Sequence, residues 1–93
     1  MANTKSAMKN IRKSERRRER NMVFRSRART LIRRTRRLIR QGELEEAQQA
    51  AQLAAKALDK AAKRRVIHPN NAARRKSRLM KRLNHALQAK AAE

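Results

Sequence analysis

One glycine and one proline, Gly42 and Pro69, are the only strong helix breakers in 93 residues. That scarcity constrains the chain more than any other feature. Gly and Pro are the sharpest local punctuation a sequence carries, so the chain divides into three pieces. Each piece reads as helix, because no run alternates β-branched or aromatic residues with polar ones. Seventeen alanines favour helix intrinsically and allow helices to approach closely.

The first piece runs from about Lys5 to Arg40 or Gln41. In its second half Phe24, Ala28, Leu31, Thr35 and Leu38 recur at spacings of 4, 3, 4 and 3, which is one face of an α-helix. Ile32 and Ile39 widen that stripe. Arg29, Arg33, Arg36 and Arg40 lie across the axis, and Gly42 stands where a left-handed residue closes a helix. The second piece, about 43–65, opens on Glu43, Glu45 and Glu46, which suit the positive end of the helix dipole. Leu44, Ala47, Ala51, Ala54, Leu58 and Ala61 form its stripe, extended by Ala50, Leu53 and Ala57. So small and apolar a helix belongs between two partners. The third piece, about 69–90, starts near Pro69, with Asn70 or Asn71 as alternative caps. Leu79, Leu83, Ala86 and Leu87 make its buried face, with Arg74, Arg78, Lys81 and Arg82 outside it. The expectation is a single all-α domain over 1–93, a three-helix bundle with a long first helix.

Charge decides what such a bundle is for. Lys and Arg number 28 against 7 acids, giving 28 − 7 = +21, a charge hard to keep compact without a polyanion. It sorts by segment: residues 1–40 carry 16 − 2 = +14, residues 41–62 carry 2 − 4 = −2, and residues 63–93 carry 10 − 1 = +9. The middle helix is therefore scaffold. At 1.5 Å per residue the first helix spans roughly 50–55 Å and the others roughly 30–35 Å, so the first overhangs by about 20 Å. Its stretch Arg12–Arg20, RKSERRRER, contains nothing apolar. That segment suits contact with a polyanion, and Arg's planar fork matches phosphate oxygens better than Lys does. Arg36, Arg37 and Arg40 fall near Glu43, Glu45 and Glu46, so part of their charge is expected to be neutralised inside the bundle.

Other classes lack parts. A membrane-seeking helix carries an apolar side, and the most basic segment has none. With no cysteine, thiolate metal sites and disulfides are excluded. His68 and His85 have no acidic cluster beside them, and one glycine cannot make a phosphate loop. The expectation is no enzyme, no metal, no cofactor and no small-molecule substrate. No secretory signal is recognisable, which points to the cytoplasm. Phe24, the one aromatic residue, cannot build a base-stacking platform. What remains is backbone gripping of a folded nucleic acid, with RNA ahead of a histone-like, DNA-compacting role. His68 has two readings: a helix-boundary side chain beside Val66 and Ile67, or a contact from the turn to RNA.

The N-terminus ANTKSAMKNIRKSERRRERN, the later SRART and above all VIHPNNAARRKSRL (residues 66–79) resemble the S-twenty family of bacterial small-subunit ribosomal proteins. The resemblance covers essentially the whole chain. It implies a structural constituent of the small ribosomal subunit that binds 16S ribosomal RNA directly and helps assemble and stabilise the subunit. The RNA partners it implies are the 5′ domain and the 3′ minor domain, with few protein contacts. Carried over position by position, it implies RNA contacts at Lys5, Lys9, Arg12, Ser14, Arg16, Arg17, Ser26, Arg29, His68, Asn70, Arg74, Lys76 and Arg78. Arg20 joins them from its place in the overhang. Two positions depart from the family's pattern: Arg65 stands where Gly is usual, and Pro69 where Lys is usual.

Overall fold

The structure, a computed structural model, describes residues 3–93. Three helices follow one another, α1 (Asn3–Gln41), α2 (Leu44–Lys63) and α3 (Pro69–Ala92), and no strand occurs among the described residues. The all-α expectation and the long first helix are borne out. Glu43 lies one residue before α2 and makes no side-chain capping bond, while Glu45 and Glu46 sit in the first turn.

Both turns close in the same way. After α1, the Glu43 N–H donates to the Leu38 carbonyl at 2.9 Å and the Gly42 N–H to Ile39 at 3.1 Å. After α2, the Val66 N–H donates to Ala61 at 2.8 Å and the Arg65 N–H to Ala62 at 3.0 Å. This paired pattern is the Schellman motif, and it demands a left-handed residue at the corner. Gly42 supplies it with φ 78°, and Arg65 with φ 60°, the only non-glycine positive φ among the described residues. The left-handed corner is thus kept at Arg65 without a glycine, and α2 ends two residues before it, at Lys63.

α2 lies between α1 and α3, which touch each other little. One cluster joins Leu38 of α1, Ala47, Ala50, Ala51 and Ala54 of α2, and Leu79 and Leu83 of α3. A second joins Ala28, Ala57, Leu58 and Ala72 nearer the α2–α3 turn. Small residues on α2 let both neighbours approach, and the fully buried Leu58 fills the middle. Thr35 is buried without cost to its hydroxyl, which donates to the Leu31 carbonyl at 2.8 Å. Two expectations fail here. Leu53, assigned to the α2 stripe, is 49% exposed, because it points past α1 into an open groove beside Met22, Val23 and Leu31. Ala72, left out of the α3 face, is buried, since the turn brings the start of α3 against Leu58.

The molecule is a rod, 73 × 22 × 14 Å. Every residue from 4 to 20 is exposed, and Asn21 is the first on α1 to be partly covered. The overhang, residues 3–20, is therefore roughly 27 Å of helix at 1.5 Å per residue.

Candidate nucleic-acid interface

A helix with no core to face is free to carry charge on more than one side, and the overhang does so from about residue 12 onward. Lys5, Lys9, Arg12, Lys13 and Arg16 line one groove together with Met8. Ser14, Arg17, Arg18, Asn21, Met22 and Arg25 line another. Both rows run at helical spacing, and at 3.6 residues per turn they lie on roughly opposite sides of the axis. Glu15 and Glu19, the two acids of α1, fall in a seam between the rows.

The remaining anticipated residues are divided. Arg20, one turn beyond Arg16 on α1, lines a separate cleft with Asn21, Phe24, Arg64 and Val66. Ser26 lies in the open, largely apolar groove beside Leu53. Arg29, Arg74 and Arg78 are exposed. Lys76 is already engaged: its ammonium donates to both Asp59 oxygens, at 2.9 and 3.2 Å. That pair is exposed and spans α2 and α3, so it contributes at most about 1 kcal/mol, yet it lowers the charge Lys76 can offer a ligand.

His68 stands at the helix boundary, as the first of its readings has it. It is the N-cap of α3, its Nδ1 accepting from the Asn70 N–H at 3.1 Å, with Pro69 at the first helical position. An accepting Nδ1 leaves the ring proton on Nε2, and the ring is exposed. The cap thus fixes one nitrogen and presents the other, as a donor, to solvent. The Asn70 backbone is consumed by this cap; its side chain is exposed.

A cluster that sequence spacing left incomplete lies farther along. Arg33, Arg34, Arg36, Arg37 and Arg40 of α1 meet Arg82 of α3 in one groove with Thr30. The i, i+4 pattern shows the α1 side; only the packing brings Arg82 across. The expectation that Glu43, Glu45 and Glu46 neutralise Arg36, Arg37 and Arg40 is not met. Lys76–Asp59 is the one ion pair among the described residues. None of the three carboxylates lines the arginine groove.

Two outer helices that carry most of the basic residues, packed on a middle helix of alanine, define a class: helical proteins that present positive charge to a polyanion. The chain belongs to the family described as Ribosomal protein S20, whose sequence model matches residues 2–84, as the motif at residues 66–79 implied. It is 53% identical over 90 residues to "Small ribosomal subunit protein bS20" of Thermomicrobium roseum, covering 97% of this chain and 91% of that one. Proteins of the same name from Dehalococcoides mccartyi and Geobacillus thermodenitrificans are each 48% identical. They cover 92% and 90% of this chain, and 98% and 94% of their own lengths. The family is one of structural, non-catalytic proteins.

Proposed function

We propose that this chain is a structural protein of the small ribosomal subunit in the cytoplasm, acting as one domain that binds 16S ribosomal RNA directly and performs no chemistry. The observation that carries the reading is the overhang: an exposed helix with one basic row over residues 5–16 and a second on the opposite side that begins at Ser14 and runs on into the bundle at Arg25. A bare helix about 10–12 Å across with two such rows fits between two RNA backbones and neutralises both. That geometry supports a clamp joining two RNA segments, and the 5′ and 3′ minor domains are the pair proposed. Lys5, Lys9, Arg12 and Arg16 would grip one, and Ser14 and Arg17 the other. Arg20, Ser26, Arg29, His68, Asn70, Arg74 and Arg78 extend the contact along the bundle, and Lys76 adds to it only by leaving Asp59. These contacts fix position on the backbone and leave base identity unread.

Filter-binding competition between folded 16S ribosomal RNA and duplex DNA at physiological salt tests the proposal. Preference for the ribosomal RNA is expected. Equal binding to both would favour DNA compaction and overturn it.

A further inference from the structure

Where the overhang meets the bundle, a cleft of about 240 Å³ is lined by Arg20, Asn21, Phe24, Arg64 and Val66. Arg20, Phe24 and Ala28 share one face of α1 at i, i+4 spacing. Ala28 is buried, Phe24 is half-buried and Arg20 is exposed, so the cleft marks the point where the core gives out. The opposite wall is the α2–α3 turn. Its position is set by the left-handed corner at Arg65 and by the Arg25 guanidinium, which donates to the Val66 carbonyl at 3.2 Å.

The charge in this cleft is held in place. The Arg64 guanidinium carbon sits 5.2 Å from the centre of the Phe24 ring, a cation–π contact that fixes a side chain otherwise free to wander. No carboxylate lines the space, and the Val66 carbonyl is already taken by Arg25. Two guanidinium forks and the half-buried Asn21 amide therefore line a small space with far more donors than acceptors, the Asn21 oxygen being the one side-chain acceptor among its lining residues. A tetrahedral phosphate, with several acceptor oxygens, is the group that satisfies such a set of donors. Holding Arg64 beforehand reduces the side-chain entropy lost on binding.

We propose that this cleft is a preorganised seat for a single phosphate of the RNA backbone, bound by Arg20, Arg64 and Asn21. Phe24 and Arg25 are positioning residues, one steadying the Arg64 plane and the other the turn. The proposal rests on the RNA-binding reading and adds to it a site made by two segments more than forty residues apart (Arg25 and Val66 are separated by 41).

A double-mutant cycle on the full chain, read by filter binding to 16S ribosomal RNA at fixed salt, decides it. Two arginines sharing one phosphate depend on each other, whereas two independent surface charges do not. Arg20→Gln and Arg64→Gln are each expected to weaken binding roughly tenfold, with the double variant within about threefold of the weaker single. Arg20→Gln combined with Arg75→Gln, whose arginine is exposed on α3 outside the cleft, should show multiplicative losses. Arg64→Lys keeps the charge but not the fork, and should lose most of what Arg64→Gln loses. Circular dichroism checks that the variants stay helical, which the exposure of both arginines favours. Multiplicative losses for the Arg20/Arg64 pair, or wild-type binding by Arg64→Lys, would overturn the seat. If the unmutated chain shows no preference for ribosomal RNA over DNA, the RNA-binding reading itself has failed.

Discussion

The two helix corners form a natural experiment in backbone strain. Gly42 and Arg65 occupy the same left-handed conformation, φ 78° and φ 60°, in the same hydrogen-bonded motif. A side chain in that region costs about 1–2 kcal/mol through the clash of Cβ with the following carbonyl. Removing it at Arg65 recovers that strain, while the greater freedom of glycine in the unfolded chain takes back about 0.5–1 kcal/mol. Arg65→Gly should therefore stabilise the bundle by about 0.5–1 kcal/mol, and Gly42→Ala should destabilise it by a similar amount. A Cβ at Gly42 would meet nothing within 4 Å, so the loss there is conformational and not a collision. For a domain of 60–100 residues, 1 kcal/mol moves Tm by about 4–8 °C, so each change should shift the melt by roughly 2–8 °C, in opposite directions. Thermal unfolding followed by circular dichroism at 222 nm is the assay. Removing one positive charge from a chain of +21 also relieves repulsion, so the control is Arg65→Ala, which loses the charge and keeps the Cβ. If Arg65→Gly melts no higher than Arg65→Ala, the strain argument is refuted.

Other outcomes follow from the charge and its placement. RNA binding through about ten phosphate contacts should fall with salt at a log–log slope of roughly −7 to −9, and a slope shallower than about −3 would contradict phosphate gripping. Neutralising Arg36, Arg37 and Arg40, although no ion pair occupies them, should weaken RNA binding less than neutralising Arg16, Arg17 and Arg20 of the overhang. Equal losses would contradict the overhang as the principal contact and show that the groove with Arg82 also faces RNA. Lys76→Ala should cost less affinity than Arg78→Ala in the same assay, since Asp59 already holds the Lys76 ammonium; equal costs would mean that the pair opens on binding. In the free protein, amide exchange should be fast through residues 8–20 and slow in the bundle from about Val23 to Leu87. The overhang buries nothing to offset roughly 1–2 kcal/mol per residue of conformational entropy, so its folding is expected to be coupled to RNA. Strong protection there without RNA would contradict this. The same expectation for residues 1 and 2 lies outside the described residues.

The sequence determined the elements and their order, because the physics that decides them is local. Two breakers in an alanine-rich chain leave three helices, and the 4–3–4–3 recurrence from Phe24 to Leu38 marks a buried stripe that needs no neighbour to be recognised. The overhang was legible for the same reason: a segment with nothing apolar cannot pack, wherever the rest of the chain goes. Side-chain partnership was not legible, because it depends on which helix lies across from which and at what height. Lys76 reads as one basic residue among many until α3 packs on α2 and sets it 2.9 Å from Asp59. Leu53 has the spacing of a core residue, but α1 passes to one side and leaves it 49% exposed. Arg64 and Phe24 are distant in sequence, and only the α2–α3 corner folds the guanidinium over the ring. Periodicity fixes which face of a helix is apolar. The tertiary structure alone decides how much of that face is covered, and which charges are left for RNA.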